Sequence, residues 1–352
     1  MICSNEALAP WLEKIEACPV IGLDTEADSL YSYPERLCLI QLALPGTLLL
    51  VDPLSEVNLE PLWQCMKGAE VVIHASAYDL RLLARHYDFV PGRLFDTMWA
   101  ARLLGFREFG LQHLVRHFHD VQLKKGSQKA DWGKRPLKDK MTEYALNDVR
   151  YLLSLYEVLK RRLEEVDRLD WLHELAVRLG EEAVRSVSSP SDDAWRIKGS
   201  SRLNRKALAC LQALWWWREK EACGANKPPY FVLSHQLLLQ VATLAVERKN
   251  WEACLPLRFS SRRRREIRGC LRRVSALPAN EWPEKKRSQQ VVVAKAEKNR
   301  IEELKLRRDT KADTLGLDPA LIASKATLVG LARDWENQAA RLMGWQRKLI
   351  EG

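Results

Sequence analysis

No apolar stretch among the 352 residues runs uninterrupted for about 18 positions, the length a membrane-crossing helix needs. The start, Met1-Ile2-Cys3-Ser4-Asn5-Glu6, has neither the basic residues nor the apolar run of a secretory signal. A soluble, cytoplasmic protein with no membrane partner is expected. There is also no C-x-x-C pair. The eight cysteines (3, 18, 38, 65, 210, 223, 254 and 270) are scattered, as buried, reduced thiols are in a cytosolic chain. His113, His117 and His119 come nearest to a zinc cluster, but no Cys or carboxylate stands at a matching offset, so a helix face is expected there. No long-period internal repeat is visible.

What is present is enough apolar sequence, 47%, to build real cores, and a length that suits two or three domains. The formal net charge of +10 is unevenly placed. Residues 1–195 carry 23 Lys+Arg against 30 Asp+Glu, or −7, and residues 196–352 carry 33 against 16, or +17. An acidic front and a basic back suit a cation-dependent active site joined to a polyanion-binding module.

The first 75 residues alternate β-rich runs with turn signals. Val20–Leu23, Leu37–Leu44 and Thr47–Val51, with Pro45-Gly46 between the last two, predict an antiparallel meander, and Val71–His74 a further strand after a helix over Leu59–Met66. From Asp79 the apolar period becomes helical, with helices over Thr97–Leu104, Leu111–Phe118 and a long one from Asp139 to Leu163. This is a mixed α/β sheet with flanking helices. Ser186 to Asp193, rich in Ser, Pro and Asp, reads as a linker, and the chain beyond it reads as all-α. The division expected is 1–185, a linker over 186–195, and helical domains over 196–282 and 283–352.

Asp24-Thr25-Glu26 follows the first strand run. Residues i and i+2 of a strand share a face, so two carboxylates stand side by side, a repulsion that an oxygen-ligated Mg²⁺ or Mn²⁺ would relieve. Asp79 opens a helix after the later strand, where a simple cap would also serve. Tyr144 and Asp148 lie one helical turn apart.

In order, D-x-E, a later Asp and Y-x-x-x-D resemble the motifs of the tyrosine branch of the DEDD exonuclease superfamily. With Ile21–Glu26, Leu39-Ile40-Gln41, Leu50–Leu54, Asp96-Thr97, Asp131–Leu137 and Tyr144–Tyr151, residues 15 to 165 resemble the ribonuclease D family. Trp195–Gly199, Leu203-Asn204 and Leu208–Gln212, continuing to the Arg-rich 262–273, are similar to an HRDC (helicase-and-RNase-D C-terminal) domain. Gly316–Ser324 and Gly344–Arg347 resemble the second helical domain that ends such chains.

The resemblance implies a ribonuclease H-like exonuclease domain followed by HRDC-type helical domains. It implies a 3′→5′ exoribonuclease that releases nucleoside 5′-monophosphates from tRNA precursors or other small RNAs, with no small-molecule cofactor and an open oligomeric state. Two divalent ions, Mg²⁺ or Mn²⁺, would sit about 4 Å apart. In the family pattern Asp24 bridges both, Glu26 and Asp148 complete one site, Asp79 orders the other through water, and Tyr144 orients the attacking water.

Seven cationic residues, Lys124, Lys125, Lys129, Lys134, Arg135, Lys138 and Lys140, make one basic island in the acidic half, where Lys129, Trp132 and Arg135 are expected to contact RNA. Arg262, Arg263, Arg264 and Arg265 are expected on phosphates as well. Of Trp215-Trp216-Trp217, two are expected in a core and one exposed. Two alternatives share these features: a 3′→5′ exonuclease on single-stranded DNA, since nothing in the motif reads the 2′-hydroxyl, and a non-catalytic RNA-binding protein. Removal of 196–352 is expected to weaken RNA affinity and leave the chemistry intact.

Overall fold

The structure, a computed structural model, describes residues 1–124, 126–188, 193–286 and 295–351. Residue 125, residues 189–192 of the expected linker and residues 287–294 of the expected second helical domain lie outside these. Five strands, β1 (Val20–Ala27), β2 (Leu37–Leu44), β3 (Thr47–Val51), β4 (Glu70–Ile73) and β5 (Arg93–Asp96), form one sheet in the order β3-β2-β1-β4-β5. β1, β2 and β3 pair antiparallel, whereas β4 pairs parallel with β1 and β5. All eight residues of β2 are buried, which is why Leu37–Leu44 reads as a nearly unbroken apolar run. The short β5 was not legible in sequence, since four residues between Pro91-Gly92 and a helix carry too little periodicity.

Eight helices accompany the sheet: α1 (Asn5–Glu16), α2 (Glu60–Met66), α3 (Ala77–Tyr87), α4 (Thr97–Leu103), α5 (Leu111–His119), α6 (Asp139–Arg150), α7 (Leu152–Glu165) and α8 (Leu169–Ser188). The single helix expected from Asp139 to Leu163 is two helices, broken at Tyr151 (φ −103°, ψ −2°). The break has a packing cause: α6 lies on β2 and β3, whereas α7 lies on α4 and β1.

Further on come α9 (Arg205–Ala225), α10 (Pro229–Val232), α11 (His235–Val246), α12 (Ser261–Ala276), α13 (Lys295–Leu315), α14 (Pro319–Ile322), α15 (Lys325–Arg333), α16 (Trp335–Ala339) and α17 (Gly344–Glu351). The chain divides into two compact units, and the division does not follow chain order. The first takes residues 1–27, 37–188 and α13–α17; the second takes 28–36 and 193–286.

In the first unit, one sheet face packs on α1, α2, α3 and α8 through Leu8, Leu62, Trp63 and Leu80. A second core joins Val72, Phe95, Leu152 and Leu159 to Leu317, Leu321, Ile322, Leu331, Trp345 and Ile350 of the C-terminal helices. Polar contacts reinforce it: Arg168 donates to the carbonyls of Leu103 (2.7 Å) and Leu315 (2.8 Å), and the Trp171 and Trp345 rings stack 4.7 Å apart.

The second unit centres on Trp195, Leu211, Leu214, Trp217, Leu238 and Ile267. The loop 28–36 between β1 and β2 belongs to it: the Tyr33 hydroxyl donates to Glu219, and the Tyr33 N–H donates to Asn226 Oδ1 at 3.1 Å.

Candidate active site

Asp24 and Glu26 leave the same face of β1, while Thr25 between them turns to the buried side. Thr25 donates its hydroxyl proton to Asp79, which sits in the first turn of α3 and is 6% exposed. Asp148, on α6, completes a cluster in which Asp24, Glu26 and Asp148 each present an oxygen within 4.8 Å of the others. Asp79 stands outside that set, held by Thr25. His113, His117 and His119 form no such group among the described residues; His119 pairs with the Ser154 hydroxyl at 3.0 Å.

All four carboxyls are pushed above the ordinary carboxylate range. Burial is the main cause for each. For Asp24 the charges of Asp79, Asp148 and Glu26 add to it, and for Glu26, raised to about 9, those of Asp148 and Asp79. Asp148 is raised to about 7 and Asp79 to about 6. Among the described residues no lysine or arginine forms an ion pair with any of them. Hard oxygens that crowd, repel and lack a cationic neighbour fit a divalent metal, which neutralises them together. Tyr144 is hydrogen-bonded to Asp148, and burial together with the surrounding carboxylates drives its hydroxyl far above the normal phenol range, so it stays protonated.

Three supports were not anticipated from sequence. Asp96, fully buried at the end of β5, accepts from the backbone N–H groups of Ala75 (3.1 Å), Ser76 (2.8 Å), Met98 (2.9 Å) and Trp99 (3.2 Å) and from the Ser76 hydroxyl. It thereby caps α4 and pins the start of α3, with Ala75 held at φ +60°. An Asp immediately before a helical run is a capping signal and could have revealed it. Gln41, opposite Asp24 in the β1–β2 register and buried, donates to Asp24 Oδ2 at 3.4 Å. Gly126 lies against the Tyr144 ring so closely that a Cβ there would be 2.7 Å from Cδ2, a clash that keeps this position free of a side chain.

The structure corrects the expected RNA contacts of the basic island. Trp132 is 1% exposed and packs with Cys38, Leu39, Met141 and Ala145 beneath α6. Arg135 is bound to Asp52 and to the Cys38 carbonyl (2.6 Å), which braces the same segment. Burial and ion pairing therefore make these two residues a buttress for the helix bearing Tyr144. Lys129 remains on the surface, as do Lys124, Lys134, Lys138 and Lys140.

Comparison with known proteins supports the same reading of the fold. A family model described as 3′-5′ exonuclease matches residues 1–164, and one for the HRDC domain matches residues 207–249. A ribonuclease D of Gluconacetobacter diazotrophicus is 30% identical over 360 residues, covering 99% of this chain and 90% of that protein. The chain belongs to the ribonuclease D family.

A further ribonuclease D, from Desulfotalea psychrophila, is 28% identical and matches 100% of this chain and 96% of its own length. One from Jannaschia sp. is 37% identical, and there the match spans 68% of this chain and 64% of that protein. The crystal structure of Escherichia coli RNase D, an exoribonuclease involved in structured RNA processing, superposes with a TM-score of 0.79 at 25% identity, covering 100% of this chain and 96% of that one. As a ribonuclease D family member, the chain is a 3′→5′ exoribonuclease with an HRDC domain, and its carboxylate cluster is one that could hold a divalent metal. Among the described residues no helix is long and apolar enough to cross a membrane.

Proposed function

We propose that the protein trims the 3′ ends of tRNA precursors or other small structured RNAs, releasing nucleoside 5′-monophosphates with the help of two divalent ions, Mg²⁺ or Mn²⁺. The observation that carries this reading is the juxtaposition of Asp24 and Glu26 on β1 with Asp148 and the protonated Tyr144 on α6, none of the carboxyls holding a cationic partner among the described residues, and with buried Asp79 beside them on α3. Asp24, Glu26 and Asp148 would hold the metal, with Asp79 contributing from the edge. When bound, the metal supplies charge neutralisation for the attacking and leaving oxygens.

The remaining work belongs to the chain's own groups. Tyr144, still protonated at neutral pH, acts by hydrogen bonding to position the attacking water, since a phenol held above its usual range is a poor proton acceptor. Its anchor is Asp148, and Trp132 and Gly126 both neighbour the ring. Asp96 fixes the turn that presents Asp79. The proposed division of labour is catalysis in the first unit, residues 1–27, 37–188 and α13–α17, and RNA holding in the second, residues 28–36 and 193–286. The eight free cysteines suit work in the reducing cytoplasm.

The test compares a 3′-labelled precursor tRNA, an unstructured RNA and a matched DNA strand with Mg²⁺ or Mn²⁺. Mononucleotide release from RNA is expected. Asp24→Asn or Asp148→Asn should lower kcat on the order of 10²–10³-fold, the scale of losing one electrostatic stabiliser of a transition state. Full activity in either variant sinks the site assignment, and faster digestion of DNA than RNA sinks the substrate.

A further inference from the structure

The second unit holds a groove of about 570 Å³ between α9 and α12. Trp216 and Lys220, one turn apart on α9, form one wall; Arg262, Glu266, Gly269 and Arg273 on α12 form the other. Trp216 is 54% exposed, whereas its neighbour Trp217 is buried and donates its indole N–H to Glu266 at 2.9 Å. The groove's carboxylates are already occupied: Arg262 bonds Glu221 and Glu266, each at 2.7 Å, and Arg263 bonds Glu221 at 2.8 Å. Arg264 is spent on the carbonyls of Glu252 and Pro256. Three members of the 262–265 arginine run thus hold the domain together, and the cations left facing outward in the groove are Lys220, with no ion pair among the described residues, and Arg273, whose described bond is to Cys270 Sγ.

Gly269 adds an independent indication. It sits inside α12, where glycine is among the poorest helix formers, and a Cβ built there would meet only Arg273 Nη1, at 3.7 Å. The backbone tolerates a side chain at this position, so its absence serves the open space. A flat exposed indole, a cleared opposite wall and two cations with no ion pair among the described residues match a base with its flanking phosphates. The surrounding charge agrees, with 21 Lys+Arg against 7 Asp+Glu over 196–291.

We propose that this groove is a subsite for one unpaired nucleobase of single-stranded RNA, stacked on Trp216, with adjacent phosphates on Lys220 and Arg273. It rests on RNA being the substrate and adds to that reading a place where the strand is held.

The experiment uses the full chain and a fluorescently labelled single-stranded oligoadenylate, first in EDTA so that binding is read without hydrolysis. Trp216→Ala and Gly269→Leu should each weaken binding by roughly ten-fold, the scale of one lost base stack. Lys220→Ala and Arg273→Ala should each reduce the slope of log affinity against log salt by about one. Gly269→Leu improves helix propensity, so weaker binding with an undiminished melting temperature reports a filled groove and not an unfolded domain. With metal, the loss should fall on KM for RNA. Affinity within about two-fold of wild type for both Trp216→Ala and Gly269→Leu, on RNA that the wild type binds, overturns the subsite, including the case in which the groove takes a protein. Failure of the exonuclease reading looks different: binding that responds to these variants, with no mononucleotide released at any metal concentration. A wild-type chain that does not bind the oligonucleotide overturns both.

Discussion

At the scale of residues, the site is governed by charge that has nowhere to go. Glu26 near 9, Asp148 near 7 and Asp79 near 6 all titrate well above the roughly pH 4 of an unfolded carboxyl, as does Asp24. Between those values the folded, metal-free protein binds more protons than the unfolded chain. The contribution of these groups to stability is therefore complete below about pH 4 and is lost as the pH rises towards 9. Melting in EDTA should show the temperature falling from pH 5 to pH 9, and Mn²⁺ should raise it more at pH 8 than at pH 5, because ligands must shed protons to bind metal. An equal Mn²⁺ effect at both pH values would contradict a site built from these groups. Tyr144→Phe should cut kcat roughly 10- to 100-fold with little change in KM, as expected for a group acting in the transition state. Gly126→Ala should do likewise by displacing the ring, and should add nothing in the Tyr144→Phe background; independent, multiplying effects in steady-state kinetics would remove Gly126 from this role.

The D-x-E pair and the Tyr144–Asp148 pair were legible in sequence because strand and helix periods dictate which residues share a face. Gly126 was not, since its constraint comes from a ring 18 positions further along.

At the scale of elements, α3, α4 and β5 act as one assembly because a single buried carboxylate serves all three. Asp96→Ala would leave the N–H groups of Ala75, Ser76, Met98 and Trp99 without their acceptor. A loss of roughly 3 kcal/mol is expected from several unsatisfied buried donors, read as a lower denaturant midpoint, together with weaker metal binding because Asp79 rides on the same turn. A midpoint unchanged from wild type would show that water replaces Asp96 at no cost. Strands β1 to β4 were visible as apolar runs, but the break between α6 and α7 was not, because Tyr151 continues a helical pattern and only the divergent surfaces under the two helices separate them.

At the scale of the whole molecule, chain order and packing disagree. The C-terminal helices share a core with the sheet, with Leu331 and Ile350 at 0% exposure and Trp345 at 3%. The expectation that removing 196–352 leaves the chemistry intact is therefore corrected. A chain ending at residue 290 would uncover several large apolar side chains, each worth about 1.5–3 kcal/mol when buried. It should melt lower and bind a hydrophobic dye, whereas an intact melting transition would refute the shared core. The +17 of residues 196–352 also divides unevenly: 196–291 holds +14, and 292–352, with 12 Lys+Arg against 9 Asp+Glu, holds +3. The sequence by itself determined the carboxylate and tyrosine spacing, the succession of sheet and helices, and the contrast between acidic and basic halves, because these depend on local period and composition. Only the tertiary structure decided that Trp132 and Arg135 are buttresses, that most of the 262–265 arginines are tied to carboxylates and carbonyls, and that the last helices complete the catalytic unit. The physical reason is the same in each case: burial and ion pairing depend on neighbours that the chain brings together from tens to hundreds of residues away.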